Sequence, residues 1–255
     1  MNNRKIFFII GFCFVFLFSA CNGKTTNQAR ILSEENFRNR TDTVPETAAS
    51  VIAAKSKDAV RLEKLGLVNV QHSDSSIVVK LMYATPDNFT KEILYDDLRE
   101  AYLQPDVAAM LVKAQKKLKE QHPGLSIIIY DAARPLWCQR KMWNVVKGTP
   151  LNIYVSNPAK TGLHNYGAAV DISLVDEEGS ALDMGTPFDF FGPEAHIDWE
   201  NLLIQQGKLT SAQIKNRKIL RDIMIYAGFT PLRTEWWHFN ACTREEAKRK
   251  YKLIE

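Results

Sequence analysis

Cysteine is scarce: the 255-residue sequence holds four, at positions 13, 21, 138 and 242. Their spacing matches no thiolate zinc-ligand pattern. A dense basic tract is also missing. Formal net charge is +4. Only the segment from Arg244 to Lys252 concentrates charge, and it mixes signs (Arg244, Glu245, Glu246, Lys248, Arg249, Lys250), as a solvated helix face does. Nucleic acid is therefore not an expected partner. There is no internal repeat. No apolar run is long enough for a comfortable membrane span.

What is present begins with a leader. Arg4 and Lys5 precede the apolar run Ile6 to Phe18, and Ser19-Ala20 places small residues directly before Cys21. This resembles the lipobox of bacterial lipoproteins, with Phe18 where Leu is commoner. The expectation is a signal peptide over 1–20 and a lipidated Cys21. That anchor would attach the protein to a membrane of the cell envelope, facing the periplasm or exterior. Cys138 and Cys242 then remain, as a disulfide or as separate thiols. Residues 21–60 are polar and weakly patterned and read as a spacer. Hydrophobic content of 45% and charged content of 24% permit a packed domain over 61–255.

Within that domain, Leu67 to Val70 and Ser76 to Met82 read as strands. Pro105 opens a helix in which Val107, Met110, Leu111, Ala114 and Leu118 recur at helical spacing, and His122-Pro123-Gly124 ends it. Leu125 to Tyr130 is a β-branched run that delivers Asp131-Ala132-Ala133-Arg134-Pro135 to a strand end. A helix follows over 137–146, and a strand over 168–175 with Ala169, Asp171 and Ser173 on one face. Ser211 to Ala227 is helical, with Ile214, Leu220, Ile223, Met224 and Ala227 as its apolar stripe and Gly228 as its stop. Strands are expected at 229–232 and 236–240, and Thr243 with Glu246 makes a capping box. Strands and helices mix without regular alternation, so the class is α+β.

The chemistry-bearing residues fall in two stretches, 162–171 and 234–238. His164 and Asp171 flank small residues that let the backbone bring both side chains to one metal. Alone, that pairing is more often a structural hydrogen bond than a metal site. His238 would be a third ligand and Glu235 a spare carboxylate beside it. Three protein ligands, an open position for water and a neighbouring base are what a catalytic zinc site requires. Arg134, at a strand end, can stabilise negative charge on a carbonyl oxygen, or be an ordinary turn arginine. Glu235 can likewise be a surface carboxylate. His72, His122 and His196 lie outside these stretches and read as surface or hydrogen-bonded histidines.

Five blocks occur in order: Tyr83 to Thr90, Asp131 to Pro135, His164 to Asp171, Met184 to Phe190, and Glu235 to Phe239. This set resembles the D-alanyl-D-alanine dipeptidases, including those of vancomycin resistance, over most of the chain from Leu67 to Asn240. The resemblance implies a single domain with a central, mainly antiparallel sheet flanked by helices, like that of hedgehog and related D,D-peptidases. It implies one Zn²⁺ per chain on His164, Asp171 and His238, Glu235 as general base and Arg134 as transition-state stabiliser. It further implies hydrolysis of the dipeptide D-Ala-D-Ala, with Asp189 holding the substrate's free amine and Tyr95 lining the pocket. Many relatives carry Ser two residues before the first zinc-binding His, where this chain has Gly162. A D,D-carboxypeptidase acting on peptidoglycan stem peptides and a non-catalytic envelope binding protein are the competing readings.

Overall fold

The computed structural model describes residues 55–255. The expected leader, Cys21 and most of the tract read as a spacer lie outside the described residues. The domain starts earlier than residue 61. Helix α1 spans Lys57–Lys64, capped by Ser56, whose hydroxyl accepts the Ala59 N–H at 2.9 Å. Ala59 and Leu62 are buried in the core, so burial extends the domain into the tract read as spacer.

The next segments are more broken than their β-formers suggest. Strand β1 is only Val68–Asn69, followed by a single turn, α2, at Val70–Ser73. The Asn69 side chain accepts the Gln71 N–H at 2.9 Å, which caps that turn and ends the strand. Strand β2 is Val78–Val79. A short β3, Tyr102–Leu103, pairs antiparallel with β1 and has no periodic signal in the sequence.

The longer elements match the reading closely. They are α3 Pro105–Gln121, β4 Ser126–Asp131, α4 Leu136–Val146, β5 Ala169–Val175, α6 Ser211–Ala227, β6 Thr230–Leu232, β7 Glu235–Asn240 and α7 Arg244–Lys250, with a short α5, Glu200–Gln205, before α6. Gly228 caps α6 in the left-handed conformation, and the Thr243–Glu246 capping box opens α7. Strand order in the main sheet is β2-β4-β5-β7-β6. Only the β2–β4 pair is parallel. Central β5 is buried along its whole length, and α3 and α6 pack against each other beside the sheet. The architecture is one α+β domain with a mainly antiparallel sheet flanked by helices.

Two irregularities aim side chains at one place. On β4, Ile129 pairs with Ile172 but Asp131 pairs with Asp171, so Tyr130 is an extra residue. On β7, Leu232 pairs with Glu235 while Pro231 pairs with Phe239, so the β7 side carries extra residues before alternation resumes. In a regular strand, residues 235 and 238 would face opposite sides. The bulge lets both reach the same cavity.

Candidate active site

Three short segments meet at the end of the sheet. His164 sits on a single turn, Leu163–Tyr166, that ends at Gly167 with φ +64°. A Cβ on Gly167 would lie 2.7 Å from Leu67 Cδ2, so both conformation and space favour glycine there. This turn is stapled to the 131–135 loop. Arg134 N–H donates to the His164 carbonyl at 3.0 Å, and Asn165 Nδ2 donates to the Arg134 carbonyl at 2.9 Å. Asp171 comes from β5 and His238 from β7, directly opposite each other in the ladder.

The three donor atoms converge. His164 Nε2 is 3.2 Å from His238 Nδ1 and 3.3 Å from Asp171 Oδ1, and His238 Nδ1 is 2.9 Å from the same Asp171 oxygen. Each ring's other nitrogen is engaged. His164 Nδ1–H donates to the Ala132 carbonyl at 2.7 Å, and His238 Nε2–H donates to Asn240 Oδ1 at 2.8 Å. The tautomers this assigns leave one nitrogen lone pair of each ring facing Asp171. Ligand atoms about 2.0–2.2 Å from a tetrahedral ion stand ~3.3–3.6 Å apart. The observed separations are close to that, so the donor set fits a divalent ion. Burial alone would raise the Asp171 carboxyl, but the charge and hydrogen bonds that His164 and His238 offer when they are protonated outweigh it and hold Asp171 well below the usual range.

Arg134 is buried beside this centre rather than lying on a surface turn. Its Nε donates to Asp131 Oδ2 at 2.8 Å, its Nη1 to Gln139 Oε1 at 2.8 Å, and its Nη2 stands 3.5 Å from Asp171 Oδ2. Burial opposes its charge, but Asp131 first, then Tyr83, Tyr95 and Asp171, more than compensate, so the guanidinium is fixed and cationic. Its Cζ also lies 5.2 Å from the centre of the Tyr83 ring.

Glu235 is 8% exposed, so it is not a surface carboxylate. Among the described residues none donates a hydrogen bond to its carboxyl. Burial, aided by Asp171 and Asp189 and opposed by His238 and Arg134, pushes it up to about 8. Asp189 also lines the cavity, at φ +60°. The residue as a whole keeps some surface, but its carboxyl is enclosed, and burial followed by Asp171 raises it to about 8. Tyr83 O–H donates to it at 3.0 Å. The loop that carries Asp189 is pinned at both ends by Arg217, a buried arginine in the apolar stripe of α6. Arg217 donates to the Met184 carbonyl at 2.7 Å and the Glu194 carbonyl at 2.9 Å.

Arg134, His164, Asp171, Asp189, Glu235 and His238 all line one cavity of about 940 Å³, walled by Tyr83, Phe89, Tyr154, Phe191 and Trp237. Tyr95 does not line it. This residue is fully buried one layer beneath, where its hydroxyl donates to Asp131 Oδ1 at 2.7 Å. Tyr95 holds the aspartate that holds Arg134, and its expected place in the pocket is corrected accordingly. Asp131, Tyr83, Gln139 and Asn240 were not singled out from the sequence. Asp131 and Tyr83 lie in the blocks quoted above. The signal for Asn240 was its place two residues after His238 on a strand, where side chains share a face.

At Gly162, a Cβ would meet Ser156 Oγ at 3.1 Å. The hydroxyl of Ser156, on the cavity wall, thus fills the space a side chain at 162 would take. Cys138 and Cys242 are both free thiols: Cys138 is buried in the core and Cys242 borders the cavity.

A family model described as D-ala-D-ala dipeptidase matches residues 63–253. A protein named D-alanyl-D-alanine dipeptidase from Escherichia coli K12 is 34% identical over 161 residues, covering 63% of this chain and 77% of its own. Proteins of the same name from Synechocystis and Enterococcus faecium are 29% identical over 168 residues and 26% over 178. They cover 54% and 62% of this chain, and 68% and 82% of their own lengths. The match spans the strands, the turn and the loop that build the cavity, and the chain belongs to the D-ala-D-ala dipeptidase family of peptidases.

Proposed function

We propose that the protein hydrolyses D-Ala-D-Ala to two D-alanines, with one zinc ion on His164, Asp171 and His238. The observation that carries the reading is the convergence of those three donors with Glu235 and Arg134 on one cavity. Two neutral imidazoles and one carboxylate suit zinc, which when bound supplies a Lewis acid and brings the pKa of a coordinated water to about 7. The chain's own groups do the rest. Glu235 accepts a proton from the attacking water as the water oxygen bonds to the carbonyl carbon. It then delivers that proton to the leaving nitrogen as the C–N bond breaks. Its raised pKa suits both halves of that exchange, and a cation at the triad would lower it toward the working pH. The guanidinium of Arg134, held by Asp131 and Gln139, offers fixed positive charge where the carbonyl oxygen becomes negative. Asp189 and Tyr83 receive the free amine, whose charge draws the Asp189 carboxyl into its ionised form.

The test follows free D-alanine released from D-Ala-D-Ala by the zinc-loaded protein, with N-acetyl-D-Ala-D-Ala alongside. Release from the free dipeptide alone is expected. Equal cleavage of the acetylated compound would favour the carboxypeptidase reading, because that substrate has no cationic amine for Asp189. No release from either compound by folded, metal-loaded protein would overturn the assignment.

We further propose that the enzyme works in the cell envelope, tethered through Cys21, where it would act on dipeptide released from the cell wall. The support is the basic start, the apolar run and the Ser-Ala-Cys sequence. Replacing Cys21 by Ala should move the protein from the membrane fraction to the soluble one; unchanged partition would refute the anchor.

A further inference from the structure

The two histidines of the triad are held in different ways. His164 Nδ1–H donates to a backbone carbonyl, that of Ala132, at 2.7 Å. No substitution of a side chain removes that acceptor. The equivalent proton of His238, on Nε2, goes to a side-chain oxygen, Asn240 Oδ1, at 2.8 Å. This bond decides two things. It keeps the proton on Nε2, which leaves Nδ1 as the lone-pair donor facing Asp171 and His164. It also sets the ring's rotation, because Asn240 lies two residues on along the same strand, paired with Ala169 of buried β5. Without that acceptor, the neutral ring can carry its proton on Nδ1 and donate it to Asp171 Oδ1, 2.9 Å away. In that state both atoms would be spent on each other and unavailable to an ion.

We propose that Asn240 is a positioning residue for the metal centre, fixing the tautomer and orientation in which His238 can bind zinc. The inference rests on the zinc reading above. Partners of this kind typically change metal affinity by about 10–100-fold when removed.

The experiment measures the zinc dissociation constant of the full-length protein by competition with a chelating dye. Parent, Asn240→Ala and Asn240→Asp are compared, with thermal unfolding of each metal-free form. The Ala variant should bind zinc about 10–100-fold more weakly, and Asp, which keeps an acceptor at the same place, should restore most of the loss. The metal-free melting temperatures should not follow that order. Should Ala fail to fold, Asn240→Ser provides a small polar replacement that cannot reach Nε2 and is read in its place. Zinc binding by Ala or Ser within twofold of the parent would overturn the proposal, as would a loss equally large in the Asp variant. A parent that binds no zinc would instead sink the zinc reading, and this inference with it.

Discussion

Single side chains in this cavity have environments that set their chemistry, and each can be tested alone. Glu235 is buried and accepts no hydrogen bond among the described residues, so it is poised to exchange a proton rather than to brace the fold. Glu235→Gln keeps the shape and removes the proposed base. Turnover should fall by roughly 10²–10⁴-fold, with zinc content by atomic absorption unchanged. Asp189 makes a different statement. Its carboxyl titrates at about 8 in the fold but near the ordinary aspartate value in the unfolded chain. Between about pH 4 and 8 the native state therefore holds a proton that the unfolded state has lost, and stability falls as pH rises through that window. Asp189→Asn removes this slope. In metal-free protein the variant should gain stability relative to the parent on going from pH 5 to pH 8, read by urea unfolding. The same variant should raise KM for the free dipeptide. A stability difference that is constant with pH would show that Asp189 is not held neutral.

At the scale of elements, the turn at 163–166 and the loop at 184–194 are the parts that position the site, and each has one residue on which it depends. Gly167→Ala places a side chain at positive φ and against Leu67. It should cost about 1–3 kcal/mol, read as a lower urea midpoint, and weaken zinc binding because the turn carries His164. Arg217 holds both ends of the Asp189 loop through the Met184 and Glu194 carbonyls. Arg217→Met should raise KM for the free dipeptide as Asp189→Asn does, and in the double variant the two effects should not add. Additive effects would separate Arg217 from the proposed amine site. The same scale shows what the sequence displayed well. Helices α3 and α6 and strands β4 and β5 are legible because each has a sustained apolar period or a long β-branched run. The stretches 67–70 and 76–82 are not, because two-residue strands carry too few positions to show a period and Asn69 diverts the chain into a turn. An arginine inside the stripe of α6 also escapes a pattern that looks only for apolar residues.

For the whole molecule, the His-Asp-His centre joins the turn after α4, β5 and β7, so binding an ion there should brace the fold as well as activate it. At a free zinc concentration 100 times the dissociation constant, the gain is about 2.7 kcal/mol. That corresponds to a melting temperature ~5–10 °C higher for a domain of this size. Removal with a chelator should abolish turnover and lower the melting temperature by that amount, and zinc should restore both. A melting temperature insensitive to the chelator would place the metal elsewhere or nowhere. What the sequence by itself determined was the class of fold, the long elements and the identity of the groups proposed to react. Residue chemistry is local, and His164, Asp171, Glu235 and His238 can be read wherever they stand. The tertiary structure alone decided their relations. Pairing of β5 with β7 sets Asp171 against His238, and bulges on β4 and β7 turn Asp131 and Glu235 inward. Burial lifts two carboxyls to about 8 while two histidines hold a third far below them. It also moved Tyr95 from the pocket to the layer beneath, because distance and desolvation depend on what packs around a group, which no single stretch of chain contains.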